Sequence, residues 1–292
     1  MIRETTSRAP ILIAALWMVG AFVSFLSMAV AGRELSGEIT TFQVLFWRGL
    51  VGLGIVLVLL QINGWHLVKT KKFPIHAARD IVHFGAQFAW FYAVALIPIA
   101  ELFALEFTTP IWTLILAALI LGEKVTKVRI AAVAFGFVGV LIILRPGISP
   151  VGMPQIAALL GALGFAFATY VLTRRLMRTD APITMLFWMV IIQTPLGLLA
   201  GLDSWVWPTG WSWFWIGVVG IGSISAHYCM ARALSLADAN VVVPMDFARL
   251  PLAVVLGWLA YEEKIDIWVI VGAVIIFGGN YLNVRSEGRR RQ

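Results

Sequence analysis

The feature that most constrains this chain is a series of ten long apolar segments within only 292 residues. A helix needs about 20 mostly apolar residues to cross the hydrocarbon core of a bilayer. The chain is 61% hydrophobic and 13% charged, which excludes an ordinary soluble domain. The pattern predicts an all-α integral membrane protein with ten transmembrane helices, at 10–31, 39–60, 76–97, 100–121, 127–144, 154–174, 182–201, 211–233, 240–261 and 266–283.

These segments form two halves that repeat one another at a distance of 140 or 141 residues. Matching residues recur in the same order: Leu45-Phe46-Trp47 and Leu186-Phe187-Trp188, Glu106 and Asp246, Glu123-Lys124 and Glu263-Lys264, Arg145 and Arg285. The sequence therefore predicts a first five-helix repeat at 1–146 and a second at 147–292. Because five is odd, the second repeat must enter the bilayer in the opposite orientation. Inverted repeats of this kind are typical of secondary transporters.

The net charge of +7 is explained by this topology. With the N-terminus in the cytoplasm, 17 of the 22 lysines and arginines lie on the cytoplasmic side and three lie outside. The remaining two, Arg48 and Arg249, fall inside helices. Such an excess of cytoplasmic positive charge is the usual rule for membrane proteins. We therefore expect both termini in the cytoplasm and no binding of nucleic acid.

Four charged residues inside helices need an explanation: Arg48, Glu106, Asp246 and Arg249. A charge in the hydrocarbon core is costly, so such residues form pairs or functional sites. At about 1.5 Å per residue, Arg48 lies about 13 Å and Glu106 about 9 Å from the outer end of its helix, which predicts an interhelical ion pair. Asp246 and Arg249 are three residues apart and share one helix face.

Three interpretations of these charges stay open. In the first, each pair only neutralises two buried charges. In the second, Arg48 or Arg249 binds an anionic group of a substrate. In the third, Glu106 or Asp246 accepts a proton that is coupled to transport.

A second group of polar residues lies on the third helix. His83, Gln87 and Trp90 follow a spacing of four and three residues, so they share one face. Imidazole, amide and indole groups together suit a flat ring that carries hydrogen-bonding groups. A satisfied hydrogen-bond network between helices is the alternative. His227 and Tyr228 on the eighth helix are secondary candidates of the same kind.

Pro110 and Pro251 occupy matched positions inside the fourth and ninth helices. Proline removes an intrahelical hydrogen bond and kinks a helix. The kinks follow the matched acids Glu106 and Asp246 by four or five residues, which places a bendable point beside the charges. These prolines are candidates for gating, although kinked packing alone also explains them.

The sequence contains no catalytic or metal-binding motif that would indicate an enzyme. The chain has no phosphate-binding loop, no zinc-type Cys/His spacing and no nucleophile motif. Cys229 is the single cysteine, so an intrachain disulfide is excluded. We therefore expect no catalytic residue, no metal and no cofactor.

Motifs in both halves resemble the EamA family of the drug/metabolite transporter superfamily, over nearly the whole chain. The first half carries Ala95-Leu-Ile-Pro-Ile-Ala-Glu101, Thr109-Pro110, Leu121-Gly-Glu-Lys124 and Gly136-Phe-Val-Gly139. The second half carries Ala233-Leu-Ser-Leu-Ala-Asp238, Leu250-Pro251, Glu262-Glu-Lys264 and Gly278-Gly279. The sequence departs from the family pattern at Glu262, where the first half has Gly122.

This resemblance implies helices 1–4 and 6–9 around a central cavity, helices 5 and 10 at the periphery, and secondary transport across a bacterial inner membrane. Within the family, Phe46-Trp47-Arg48 and the segment 101–110 are similar to carriers of riboflavin and S-adenosylmethionine. The implied substrate site near the midplane comprises Arg48, His83, Gln87, Trp90, Glu106, Asp246 and Arg249.

The sequence thus predicts a multi-pass inner-membrane carrier that moves a small organic metabolite by alternating access. A planar heteroaromatic compound such as a flavin or S-adenosylmethionine is the first candidate substrate, with a coupled proton left open. We expect a monomer or homodimer surrounded by membrane lipid. An exporter of amino acids or drugs is the alternative within this class, and a non-transporting membrane scaffold subunit is the alternative of another class.

Overall fold

The computed structural model describes residues 8–122, 126–148, 150–237 and 239–290, and these are almost entirely helical. The α-helices are α1 (Arg8–Leu35), α2 (Thr41–Asn63), α3 (Phe73–Leu96), α4 (Ile99–Glu106), α5 (Thr109–Leu121), α6 (Lys127–Leu144), α7 (Met153–Phe165), α8 (Thr173–Leu176), α9 (Pro182–Gly201), α10 (Ser212–Leu236), α11 (Ala239–Asp246), α12 (Arg249–Tyr261) and α13 (Ile267–Arg290). A π-helix at Ala166–Leu172 connects α7 to α8. These described ranges contain no β-strand.

Two of the predicted transmembrane segments, those with the proline kinks, are interrupted in the structure. The segment 100–121 divides into α4 and α5, and 240–261 divides into α11 and α12. Pro110 and Pro251 follow these interruptions, and each proline lacks the N–H that would donate to the carbonyl four residues before it, as the predicted kinks require. The repeated Glu123-Lys124 pair lies outside the described residues.

Within the described residues, eight helical stretches are long and apolar enough to cross a membrane: Ile11–Leu35, Thr41–Asn63, Ile99–Ile120, Lys127–Leu144, Met153–Leu176, Pro182–Ser204, Ser212–Leu236 and Ile267–Ser286. Helix α12 is apolar but has only 13 residues. Helix α3 has 24 residues but buries five polar or charged side chains. Ten spans would need α3 and the broken α11–α12 pair in addition, so that number stays a prediction.

The helices pack across the two halves in a pattern that is unchanged when the halves are exchanged. Helix α1 packs against α10, and α7, the counterpart of α1, packs against α3, the counterpart of α10. Helix α2 packs against its own counterpart α9, and α6 against its counterpart α13. A structural repeat predicts packing of this kind. The opposite orientation of the halves in the bilayer remains a prediction.

Corresponding helices also end in the same way in both halves. Helix α5 ends at Gly122 with a φ of 65°, and α12 ends at Glu262 with a φ of 53°. Glycine adopts this left-handed conformation without strain, whereas another L-residue bears a cost of about 1–2 kcal/mol. The departure from the family pattern at Glu262 therefore changes the residue and keeps the backbone geometry of the helix end.

Helices α6 and α13 approach so closely that only glycine fits at their crossing. A Cβ atom added to Gly139 would lie 2.6 Å from the carbonyl oxygen of Gly272, and one added to Gly272 would lie 2.6 Å from the carbonyl oxygen of Gly139. Small residues permit such contacts where lipid removes the hydrophobic drive for association. This pair contributes no lining residue to the central cavity among the described residues.

We predict that Gly139→Ala lowers the free energy of unfolding by about 1–3 kcal/mol, because an overpacked crossing must separate. The measurement is unfolding of the purified protein in a detergent titration. Gly85→Ala on α3 is the matched control, since nothing lies within 4 Å of its added Cβ and alanine favours a helix by about 1 kcal/mol. Equal losses in both variants would contradict the close crossing.

Candidate functional site

The two broken helices bring charged side chains to the centre of the bundle. Helix α4 ends at Glu106, α11 ends at Asp246 and α12 begins at Arg249. Pro110 cannot donate to the carbonyl oxygen of Glu106, and the hydroxyl of Thr109 donates to it instead at 2.6 Å. Within an apolar region a freed backbone carbonyl must find such a partner. The carbonyl oxygen freed by the helix break therefore has a local hydrogen-bond partner, which helps to hold Glu106 in place.

Arg249 links the two breaks. Its Nη2 donates to Glu106 Oε1 at 3.1 Å and to Asp246 Oδ2 at 3.5 Å. Trp90 donates its indole N–H to the other oxygen of Glu106 at 2.7 Å. The predicted contact of Asp246 with Arg249 is confirmed, whereas the predicted ion pair of Arg48 with Glu106 is wrong. Depth along two helices gives the height of each side chain but not the face on which it lies.

Aromatic rings surround the same guanidinium. The Cζ of Arg249 lies 4.5 Å from the ring centre of Phe25, 4.8 Å from that of Phe103 and 5.1 Å from that of Phe107. Its Nε and Nη1 are buried with no hydrogen-bond partner in the described part of the chain. Each cation–π contact is worth about 0.5–2 kcal/mol at a desolvated site. The carboxylates bind only Nη2 of Arg249, and the aromatic rings stabilise the rest of the guanidinium.

Arg48 has a different environment. Its side chain donates to Gln87 Oε1 and, at 3.1 Å, to Gln193 Oε1. No carboxylate among the described residues pairs with it, although only 7% of the residue is exposed. Two neutral amide oxygens solvate the guanidinium and leave its positive charge uncompensated. Arg48 is therefore the cation of this site that is free to bind an electron-rich or anionic group.

Gln193 is a site residue that the sequence analysis missed. Its Nε2 donates to the backbone carbonyl of Asp80 at 2.9 Å and lies 3.2 Å from His83 Nδ1. Because the amide nitrogen can only donate, these contacts turn Oε1 towards Arg48. The available signal was a glutamine in the largely apolar segment 182–201, but no polar residue lies three or four positions from Gln193 to indicate a shared polar face.

A central cavity of about 430 Å³ joins these groups. All seven predicted site residues line it, as does Pro110, whereas Pro251 is exposed on α12 outside the cavity. The described lining residues are Met18, Phe25, Met28, Arg48, His83, Gln87, Trp90, Phe91, Glu106, Phe107, Thr109, Pro110, Thr113, Phe165, Ala166, Thr169, Ser223, His227, Met230, Leu234, Val242, Asp246, Phe247 and Arg249. Six of them are Phe or Trp, and the sequence analysis identified only Trp90 among these.

At one end of the bundle the two halves are joined by an ion pair. Arg33, in the last turn of α1, pairs with Glu263 in the loop after α12. Glu263 also accepts from the backbone N–H of Ile99, at the start of α4, at 2.9 Å. The carboxylate of Glu263 lies against Gly257, where an added Cβ would force it to move. Three elements of both halves therefore meet at one carboxylate.

The cavity extends towards the opposite end of the bundle. Leu234 lies in the last turn of α10 and Val242 in the first turns of α11, and both line the cavity. Leu234 is 46% exposed. In the predicted topology this end faces the cytoplasm and the end with Arg33 faces outwards.

We predict that Arg249→Met lowers the free energy of unfolding by about 3 kcal/mol, because it leaves two carboxylates in the bundle without their cation. Unfolding of the purified protein measures this loss. Arg178→Met is the matched control, since Arg178 is exposed in a turn and its replacement should change stability by less than about 0.5 kcal/mol. A similar effect of both substitutions would refute the role of Arg249.

Known proteins are similar to this chain in sequence and in fold. The model of the EamA-like transporter family matches residues 12–145 and 153–285. A riboflavin transporter of Brucella anthropi is 30% identical, with 94% of this chain and 99% of that protein covered. An S-adenosylmethionine uptake transporter of Rickettsia bellii is 24% identical, with 93% of each covered. A solved crystal structure has the same fold at a TM-score of 0.66 and 19% identity, covering 96% of this chain and 99% of that chain.

The two family matches fall in the two halves that the sequence repeat defines. Together with the eight apolar stretches, they indicate a multi-pass inner-membrane protein and a transporter of a small metabolite rather than an enzyme. The chain belongs to the EamA-like transporter family.

Proposed function

We propose that this protein is a secondary carrier for a planar, electron-rich heteroaromatic metabolite, with riboflavin as the first candidate. The observation that carries this proposal is Arg48, a buried cation without a carboxylate partner among the described residues, in a cavity lined by aromatic rings. Aromatic side chains stack on flat rings, and a guanidinium donates to carbonyl oxygens and ring nitrogens in its plane. The 30% identity to a riboflavin transporter supports this choice.

The charges of the cavity favour a flavin over S-adenosylmethionine. Both carboxylates of the cavity, Glu106 and Asp246, already bind Arg249. A cationic substrate would have to displace Arg249, whereas an electron-rich group finds Arg48 without a competing acid. A scaffold subunit, the alternative of another class, requires no cavity of ligand size. An exporter of amino acids or drugs stays an alternative, because the fold does not set the direction of transport.

We place the substrate in a cycle of alternating access. In this proposal the repeats 1–146 and 147–292 are inverted, both termini are cytoplasmic and the chain works as a monomer or homodimer in membrane lipid. The Arg33–Glu263 contact closes the outer side while the cavity extends to the cytoplasmic end. The break before Pro110 serves as the hinge beside the substrate, and that before Pro251 as its counterpart.

We expect riboflavin to raise the thermal stability of the purified protein, by about 2.7 kcal/mol at 100 times its Kd. S-adenosylmethionine, aromatic amino acids and organic acids complete the panel. Arg48→Ala should remove the stabilisation, and Arg48→Lys should weaken it because an ammonium lacks the planar fork. Arg178→Ala is the control for loss of an arginine away from the cavity. Stabilisation by S-adenosylmethionine and not by riboflavin would contradict riboflavin as the substrate. Stabilisation of a folded Arg48→Ala variant by riboflavin would contradict the role of Arg48.

The proposed role of the Arg33–Glu263 contact in closing the outer side leads to a separate prediction. Glu263→Gln keeps an oxygen for the N–H of Ile99 but loses the charge that binds Arg33. In a Cys229→Ser background, we expect it to speed labelling of Ser223→Cys, a cavity position, by an impermeant thiol reagent added outside.

Glu34→Gln is the matched control for this labelling, because Glu34 is an exposed acid near the same end that accepts from Tyr261 at 2.8 Å. Unchanged labelling in Glu263→Gln, or faster labelling in Glu34→Gln, would show that Glu263 does not close the outer side.

A further inference from the structure

Two histidines line the central cavity from different helices, His83 from α3 and His227 from α10. Ser223 and Met230, four residues before and three residues after His227, also line it, so this face of α10 is turned to the cavity. Neither histidine has a role in the proposed function. An imidazole nitrogen donates when it carries a proton and accepts when it does not, so the tautomer decides what each ring offers to a ligand.

The contacts of His83 place its proton on Nε2. Its Nδ1 lies 3.2 Å from Nε2 of Gln193. The same amide donates to the backbone carbonyl of Asp80 at 2.9 Å and accepts from Arg48 through its oxygen, which identifies the nitrogen as the end that contacts His83. An amide nitrogen can only donate, so Nδ1 of His83 accepts. The ring of His83 is therefore neutral, and Nε2 carries its single N–H.

The contacts of His227 fix the opposite tautomer. Its Nδ1 lies 2.7 Å from the backbone carbonyl oxygen of Ser223, one turn earlier on α10. A carbonyl oxygen can only accept, so Nδ1 carries a proton. No carboxylate in the described part of the chain pairs with this ring, and an unpaired charge inside a membrane helix is costly. His227 is therefore neutral and presents Nε2 as an acceptor.

Both histidines are neighbours of Arg48. The two ends of the Gln193 amide contact Arg48 and His83, so these two donors lie on the same wall of the cavity. Arg48 is also close enough to His227 to interact with it electrostatically. In both imidazole rings Nδ1 is already bound within the protein, which leaves Nε2 for a ligand. Arg48, His83 and His227 together offer two donors and one neutral acceptor.

An aromatic ring lies beside each histidine. The ring centre of Phe25 is 5.8 Å from that of His227, and the ring centre of Phe165 is 5.4 Å from that of His83, both in edge-on contact. Phe25 and Phe165 also line the cavity. Aromatic walls can stack on a flat ligand ring, and a few placed polar groups among them fix the orientation of that ring.

We infer that His83 and His227 select a substrate ring by its imide edge, the sequence C=O, N–H, C=O. His227 accepts from the ring N–H, and His83 and Arg48 donate to the two carbonyl oxygens. The inference rests on the proposed function as a carrier of planar heteroaromatic compounds and names the edge by which the ring is bound. The flavin ring carries this edge, whereas the adenine of S-adenosylmethionine has an amino group and ring nitrogens instead.

Matched ring compounds test the imide edge in the purified wild-type protein, with ligand fluorescence as the measure of binding. The pairs are riboflavin with 3-methylriboflavin and lumazine with 3-methyllumazine, since the methyl group replaces the imide N–H. A buried acceptor that loses its donor is costly, so methylation should raise the Kd about tenfold or more. Equal binding within both pairs would overturn the inference, as would adenosine that binds more tightly than every imide.

His227→Phe separates a lost hydrogen bond from a steric effect of the methyl group. Phenylalanine keeps a ring and lacks the acceptor, so this variant should bind riboflavin about tenfold more weakly and bind 3-methylriboflavin equally well. A preference for riboflavin that persists in His227→Phe would refute the role of His227. Tyr228→Phe, which removes a hydroxyl from an exposed residue of the same helix, is the matched control and should keep the full preference.

Two substitutions of His83 test the donor. The amide N–H of glutamine can replace the N–H of His83, whereas phenylalanine has no donor. Riboflavin should therefore bind His83→Gln about tenfold more tightly than His83→Phe. Equal Kd values in these two variants would refute the role of His83. Should a phenylalanine variant fail to fold, the ligand pairs in the wild-type protein still decide whether the imide edge is bound.

The same measurements separate this inference from the choice of riboflavin. Binding of lumazine but not riboflavin, with 3-methyllumazine bound more weakly, would contradict riboflavin as the substrate and support the imide edge. Binding of riboflavin without any effect of methylation would support the proposed function and overturn the inference. If no imide compound binds the wild-type protein, the inference is overturned whatever the substrate is.

Discussion

The contact of Arg249 with Glu106 and Asp246 holds the centre of this bundle together. A guanidinium that is 2% exposed would be prohibitively costly in an apolar region without these carboxylates and the rings around it. Glu106 is the last residue of α4 and Arg249 is the first of α12, so the same contact joins helix breaks from the two halves. Loosening it would release both breaks at once. The charge that is expensive to bury is thereby also the link between the helix breaks of the two halves.

The positions of the helices could be predicted well from the sequence, because capping residues and prolines mark the helix ends. Helix α6 begins at Lys127 as predicted, and the hydroxyl of Thr126 accepts from the N–H of Arg129 at 3.3 Å. Helix α9 begins at Pro182, where proline costs nothing because the first N–H groups of a helix have no partner. The repeat also located both family matches, because corresponding residues need the same packing in each half. The seven cavity residues were found for a similar reason, since polar groups in apolar helices are conspicuous.

The contacts between those residues could not be read from the sequence. Arg48 and Glu106 lie at similar depths, but Glu106 binds Arg249 of the other half and Arg48 binds two amides. Which faces meet depends on how the helices cross, and the pattern of apolar residues in a membrane helix says little about that. Gln193 was missed because no polar residue lies three or four positions from it, whereas Gln87 shares a helix face with His83 and Trp90. It proves to be the residue that determines how Arg48 is presented.

Helix α3 shows that two requirements compete within one helix of a membrane carrier. Contact with lipid favours apolar residues, whereas a binding site needs polar ones. The helix is long enough to span, yet its buried polar residues keep it from being recognised as an apolar stretch. Lipid would favour their replacement by leucine or valine, whereas in the structure each of these buried residues has a hydrogen-bond partner. Arg249 pairs with two acids, and Arg48 is bound by two amides. The two arginines of the cavity therefore differ in their electrostatic surroundings: carboxylates neutralise the charge of Arg249, whereas neutral amides, one of them from Gln193, solvate that of Arg48.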